Sequence, residues 1–117
     1  MSGLSVRPKQ LQFLLIFLHT FMIIHHHTEA TKGSWYIEEQ GERLAELGYR
    51  ILENGVYSLD STRVDDRLRG KSAGKQLVEA AVAFARANNL KLRAVCPFVV
   101  ALFEKMPVWD DVKMQAQ

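Results

Sequence analysis

Residues 64–77 read VDDRLRGKSAGKQL, a run in which Gly70 and Gly74 stand among Arg69, Lys71 and Lys75 just where a helical periodicity begins. That combination suits an anion. The first N–H groups of a helix have no partner within it, and the helix dipole adds partial positive charge at the same end, so a strand-to-helix loop here presents donors and charge to a phosphate or pyrophosphate. Glycine lets the backbone at Gly70 and Gly74 approach such a ligand closely, while Arg69, Lys71 and Lys75 compensate its charge. Two phosphate-loop patterns are excluded, since the chain has neither GxxxxGK[ST] nor GxGxxG with a later acidic ribose partner. An ordinary glycine-containing turn with solvated lysines has the same spacing, so the loop by itself leaves both readings open.

Cys96 is the second candidate for chemistry. It is the single cysteine and it precedes Pro97, a residue suited to the first turn of a helix. A thiol at a helix N-terminus has its pKa depressed below the usual value of about 8.5, and could act as acid, base or acyl carrier. The alternative is a cysteine packed as a small hydrophobe. Asp60, Asp65, Asp66 and Glu104 could serve as bases, but each fits a turn or a solvated helix position equally well, and none is assigned a catalytic role. His25, His26 and His27 are adjacent, so on a strand they point to alternate faces and cannot all converge on one ion; no HExxH accompanies them and no metal is expected. A solvated segment at the start of a strand accounts for them. Trp35, Tyr36 and Tyr49 lie at strand spacing and read as core or sheet-surface packing rather than base-stacking platforms.

These residues need elements to hold them. Trp35 and Ile37 alternate against Tyr36 and Glu38 before Gln40 and Gly41 turn the chain. Residues 43–52 then place Ala45, Leu47, Tyr49 and Ile51 on one face and Glu46, Gly48 and Arg50 on the other. Asn54-Gly55 predicts a type I′ turn, with positive φ at both residues, into a third strand over residues 56–62. After Arg63 the period changes. Leu77, Ala81, Phe84 and Ala85 recur at helical spacing and predict a helix over residues 74–87, ended by Asn88 and Asn89. Residues 91–96 read as a strand with Leu92, Ala94 and Cys96 on one face, and Pro97 opens a last helix containing Phe98, Ala101, Leu102 and Lys105. The expected fold class is α+β: an antiparallel strand meander followed by helix, strand and helix, with one sheet packed on helices.

A chain of 117 residues, 48% hydrophobic and 24% charged, fits one compact domain. Its net charge of +2 is spread among interspersed signs, which excludes a nucleic-acid arm or an acidic tail. A lone cysteine makes no intrachain disulfide, so a reducing compartment, the cytoplasm, is expected. Arg7 and Lys9 precede an apolar run over residues 11–24, interrupted by Gln12, His19 and Thr20. That run is shorter than the roughly 20 residues of a membrane span, and no small-x-small cleavage site follows it. The expectation is a native start at Met22, with residues 1–22 an extension of the gene reading; a signal or membrane anchor is the alternative. Residues 23–112 then form the domain and residues 113–117 a tail.

RLRGKSAGKQLVEAA resembles the [QR]xxGxG motif of GNAT acetyltransferases, and STRVDDRLRGKSAGKQLVEAAVAFARANNLKLRAVCPF is similar to their short, single-domain YjdJ-type branch. That branch has a threonine before the loop, here Thr62, and a Cys-Pro-aromatic step, here Cys96, Pro97 and Phe98. The resemblance extends over residues 25–112 and implies a GNAT-like fold with acetyl-CoA as acetyl donor. It implies that the backbone of Arg69, Gly70, Lys71, Ser72, Ala73 and Gly74, with Lys75, holds the pyrophosphate of coenzyme A. The strand leading to Val64 would bond the pantetheine arm.

Three features depart from the family. Ser72 stands where the motif has its first glycine, which a negative φ or a small strain would tolerate; Ser61 stands where the branch has histidine; and the last helix offers Phe98 and Phe103 where larger members have a tyrosine acid. The implied function is direct acetyl transfer to an unidentified amine, on a small molecule or a protein. So short a domain has little room for an acceptor pocket, so the acceptor is either large or bound partly by a second subunit of a homodimer. The alternative is a coenzyme-A-binding or interaction module of the same fold with weak or no activity. Ser61, Ser72 and the missing tyrosine favour it.

Overall fold

The computed structural model describes residues 22–114. The expectations for residues 1–21, and for the end of the tail over residues 115–117, lie outside the described residues. Among the described residues are five strands and two helices: β1 (His25–Glu29), β2 (Lys32–Glu39), β3 (Glu42–Ile51), β4 (Tyr57–Val64), α1 (Ala73–Asn88), β5 (Leu92–Ala94) and α2 (Pro97–Lys105). Short 3-10 turns cover Asp66–Leu68 and Pro107–Trp109. The strands lie in the order β1-β2-β3-β4-β5, the first four antiparallel and β5 parallel to β4 across the α1 crossover.

The α+β meander is as the spacing predicts, with one strand more at its front. β1 reads HHHTE and is exposed along its whole length, so it carries no apolar alternation; it is a strand because its backbone pairs with β2. Its histidines alternate as adjacent strand residues must, His25 opposite Tyr36 and His26 opposite Trp35. The turn types differ from expectation. At Asn54-Gly55 only Gly55 has positive φ (81°), the Gly55 N–H donates to Leu52 O and the Leu52 N–H to Val56 O. This is a type I turn closed by a left-handed glycine, a three-residue hairpin loop rather than type I′. The turn with both residues at positive φ is Gln40-Gly41, between the paired Glu39 and Glu42.

Register decides which face of the sheet is covered. Trp35 pairs with Leu47, Tyr49 with Leu59, and Leu47 with Thr62, so these side chains share a face. On that face Leu77, Val78, Ala81, Val82 and Ala85 of α1 join Trp35, Leu47, Tyr49 and Leu59 in one buried cluster. Each leucine or valine among them contributes about 1.5–3 kcal/mol by leaving water. Val99 and Phe103 of α2, with Trp109, extend the same cluster, and the Phe103 and Trp109 rings meet edge to face at 5.5 Å. The helix begins at Pro97, as its sequence predicts.

The last strand is shorter than residues 91–96. Pairing stops at Leu59 with Ala94, because the N–H groups of Val95 and Cys96 both turn to Leu59 O, at 3.1 and 3.0 Å. From there β5 leaves the sheet for α2, and β4 runs on from residue 60 to residue 64 with β3 as its strand partner. The two parallel strands therefore form a fork. Among the described residues no helix is long and apolar enough to cross a membrane.

Candidate functional site

The fork opens into a cleft of about 520 Å³. Thr62 and Val64 of β4 form one wall, the loop from Asp65 to Ser72 and the first turn of α1 a second, and Phe98 and Leu102 of α2 a third. Seven residues singled out by sequence, Val64, Arg69, Gly70, Ser72, Ala73, Gly74 and Lys75, line it together. Lys71 is exposed outside this lining, and Cys96 also lies off the wall.

The loop is held by its own charges. The Asp65 carboxylate caps the 3-10 turn by accepting from the Arg67 N–H at 2.8 Å, and it also accepts from the Arg67 guanidinium at 2.9 and 3.0 Å. Arg67 in turn grips both oxygens of Glu42 at 3.1 and 2.8 Å. These bonds hold the Asp65 carboxyl well below the usual carboxylate range. Asp65 is therefore a fastener of the loop, unsuited to accept a proton near neutral pH. Arg69, whose side chain is 80% exposed, pairs with Asp66 at 2.6 Å and stands at the rim.

The entry to α1 is unusual. Ser72 has φ 59° and ψ 31°, in the left-handed region, where a negative φ was the unstrained expectation. That conformation costs roughly 1–2 kcal/mol for a non-glycine residue. A serine at this position ordinarily caps the helix from the extended region of φ and ψ, but Ser72 makes no side-chain cap bond. The first helical bond runs from the Gln76 N–H to Ser72 O at 3.0 Å, so the N–H groups of Ala73, Gly74 and Lys75 have no partner in the ladder. Gly70, at φ 79°, has open space where a Cβ would stand. Gly74 has a packing reason to be glycine as well: a Cβ there would lie 2.8 Å from Cζ of Phe98. The start of α1 and the start of α2 touch through that ring.

Behind the wall, Cys96 is 8% exposed and its Sγ lies 3.3 Å from Thr62 Oγ1. Burial pushes the thiol up, but the Thr62 hydroxyl and the nearby N–H groups of Val99 and Phe98 outweigh it and leave the thiol below its ordinary value. The N–H groups act as a field at the helix start rather than through a formed cap bond.

Residues 34–112 match the model of the GCN5-related N-acetyl-transferase family. The chain belongs to that family. Among solved structures it resembles a GCN5-like protein from Staphylococcus aureus, seen in solution, with 35% identity over 80% of this chain and 90% of that one and a TM-score of 0.62. Ribosomal-protein-alanine N-acetyltransferase from Brucella melitensis shares 17% identity over 76% of this chain and 66% of its own, at a TM-score of 0.53. An acetyltransferase from Trypanosoma brucei shares 14% over 100% and 79%, at 0.54. The last two speak to the fold alone. No curated protein matches.

In this GCN5-related protein the remaining sequence candidates lie apart from the cleft wall. Asp60 accepts from Ser58 Oγ at 2.6 Å and from Arg50; burial pushes its carboxyl up, while these bonds and the nearby Arg93 outweigh burial and leave it below the ordinary value. Asp66 is paired with Arg69, and Glu104 is exposed on α2. Among the described residues no group of three or more His, Cys, Asp or Glu side chains could hold a metal. Sequence reasoning missed Leu68, Phe98 and Leu102 as cleft walls. Phe98 and Leu102 sit four apart on α2, a spacing that marks a shared face without saying what the face meets.

Proposed function

We propose that this chain binds acetyl-CoA in the cleft and transfers the acetyl group directly to an amine. The fork carries the reading. Beyond Leu59 the edge of β4 that faced β5 has no strand partner, and it leads into a loop and a helix start with three N–H groups outside the ladder. An extended amide-bearing arm can bond to such an edge, and a pyrophosphate suits such a helix start. The cleft volume falls within the range of about 300–1,000 Å³ common to ligand pockets. Val64 and the residues before it would bond the pantetheine arm. The backbone of Arg69, Gly70, Lys71, Ser72, Ala73 and Gly74, with the Lys75 ammonium, would hold the pyrophosphate.

Transfer forms a nitrogen–carbon bond and breaks the thioester carbon–sulfur bond; the amine gives up one proton and the departing thiolate takes one. A lysine-like amine has a pKa of about 10.4, so its proton needs an acceptor before attack. Thr62 Oγ1 is on the cleft wall and Cys96 Sγ is behind it, and the pair forms the proton path in this proposal, with the thiol as acid or base. The lone thiol also fits action in the cytoplasm. Two observations favour a second reading, a module that binds coenzyme A without transferring. The carboxylate on the cleft wall, Asp65, is committed to Arg67, and the thiol is buried.

Calorimetry with acetyl-CoA tests both, and the absence of both heat and a thermal shift at millimolar ligand overturns both. Arg69→Glu weakens binding by reversing charge at the rim. With binding established, labelled acetyl-CoA and a panel of amines separate the two: turnover supports the transferase, and none supports the module. Cys96→Ala is expected to keep binding and lose turnover; full turnover in that variant removes the thiol from the chemistry.

A further inference from the structure

The sheet face away from the helices carries charge in an uneven pattern. Across β3 and β4 it gathers into two clusters. In the first, Glu46 is shared by Arg43 at 3.0 Å and Arg63 at 3.8 Å. In the second, Asp60 pairs with Arg50 and accepts from Ser58, which stands opposite Arg93. Four arginines and two carboxylates leave two units of positive charge, and the Arg50 and Arg63 side chains are 64% and 55% exposed. Towards β1 the balance evens out, since Glu29 stands opposite Lys32. The excess lies with the Arg50, Arg63 and Arg93 side of the face, for Glu38 stands opposite Arg43 at the β2 border.

Between the clusters lies a low saddle. Gly48 is opposite Ser61, and a Cβ on Gly48 would meet Ser61 Oγ at 2.8 Å, so this row is kept free of larger side chains. Glu46 and Arg50 are four residues apart on β3, which separates the clusters by roughly 13 Å at about 3.3 Å per residue. A small amine cannot touch both. An extended peptide of about four residues can.

Resting on the transferase reading for the place of the fork, we infer that this half of the face, uncovered among the described residues, docks the amine acceptor, and that the acceptor is an acidic peptide segment. Its carboxylates sit on the Arg43–Arg63 and Arg50–Arg93 pairs, and its amine lies over the Gly48–Ser61 saddle beside the fork. Exposed charges of this kind give selectivity and speed of encounter more than tight binding, so a preference is the signature to seek.

Fluorescence anisotropy reads it directly. Three short peptides, each with a neutral dye and one central lysine, carry flanking glutamates, glutamines or lysines. The glutamate peptide is expected to bind about tenfold tighter than the glutamine peptide, an advantage that shrinks as salt shortens the screening length. Arg63→Glu with Arg93→Glu removes the advantage; Arg63→Gln with Arg93→Gln lowers it, and is the milder pair should the reversals impair folding, which thermal melting reports. Equal binding of the glutamate and glutamine peptides, or preference for the lysine peptide, overturns the inference. Acetyl-CoA affinity measured on the same samples keeps the two readings apart. Acidic preference without acetyl-CoA binding supports the docking face and removes the donor reading, whereas acetyl-CoA binding without acidic preference removes the docking face alone.

Discussion

Both ends of α1 are flanked by a non-glycine residue in the left-handed region, Ser72 at φ 59° and Asn89 at φ 56°, yet the two ends are built to opposite purposes. At the C-terminal end the unusual backbone is answered by bonds. The Asn89 N–H donates to Ala85 O and the Leu90 N–H to the same carbonyl at 2.8 Å. Arg86 clasps Asp111 at 2.9 Å through two nitrogens and donates to Val108 O at 2.8 Å. Asparagine also tolerates this region better than serine. At the N-terminal end Ser72 makes no cap bond, and the N–H groups of three cleft-lining residues lie outside the ladder. Strain that is returned in hydrogen bonds is architecture. Strain that is not returned in hydrogen bonds is what the proposed ligand site would carry.

The largest effect should come from filling the open end. In Gly74→Leu the new side chain begins 2.8 Å from Phe98 and extends into the space a ligand needs. We expect acetyl-CoA affinity to fall about a hundredfold, close to 3 kcal/mol, with a cooperative thermal transition retained. Adding Phe98→Ala should restore part of the loss. Calorimetry on both variants decides the matter, and unchanged affinity in Gly74→Leu would place the ligand elsewhere.

A smaller, sharper contrast compares the two left-handed residues. Asn89→Ala should cost about 1 kcal/mol in urea unfolding, because alanine meets the full steric penalty in a conformation the cap bond requires. Ser72→Ala should stay within about 0.5 kcal/mol, because the hydroxyl it removes caps nothing. Ser72→Gly should gain about 0.5 kcal/mol, the strain relieved being partly offset by the freedom glycine adds to the unfolded chain. Equal losses at the two alanine variants would erase the distinction between the ends.

That distinction was only half legible in the sequence. The periodicity of Leu77, Ala81 and Ala85 locates α1 to within a residue at either end, because burial against the sheet follows the helical period. The loop is recognisable from its glycines and cations. The fork is not, since it depends on Val95 and Cys96 both bonding to Leu59 O, a choice made by tertiary contact where local spacing still reads as strand. β1 was hidden because an exposed edge strand needs no apolar side chain. Gly74 is legible as a loop glycine but its packing role is not, for no local pattern reveals that Phe98, 24 residues on, lies against it.

Cys96 belongs to the open end and offers a test through its pH dependence. Burial pushes its thiol up, while the Thr62 hydroxyl and the α2 N–H field outweigh that burial. The midpoint of iodoacetamide alkylation against pH should therefore fall below that of a free thiol, about 8.5, and Thr62→Val should raise it. A midpoint at or above the free value in the wild type would leave burial dominant and the thiol a packing residue.

The smallest effect should arise near the closed end. His26 donates to or accepts from Tyr49 through Nε2 at 2.8 Å, stacks on Trp35 at 4.5 Å and meets the edge of Phe84, in the second half of α1, at 4.9 Å. Burial, and secondarily the neighbouring His27, lower its pKa in the folded state. Between that lowered value and the unfolded value of about 6.5 the unfolded chain binds more protons, so stability rises with pH through this window. The contribution is complete above about pH 6.5 and is lost as pH falls through the folded value, whereas the depressed carboxylates act only below about pH 4. Thermal melting should show a decline from pH 6.5 downward that His26→Gln flattens; because the ring is partly solvated, the change is modest. At each pH the variant and the wild type should bind acetyl-CoA equally, since the ring meets the closed half of α1 and no atom of the cleft wall. A change in affinity with His26→Gln would couple the two ends that the bonding pattern keeps separate.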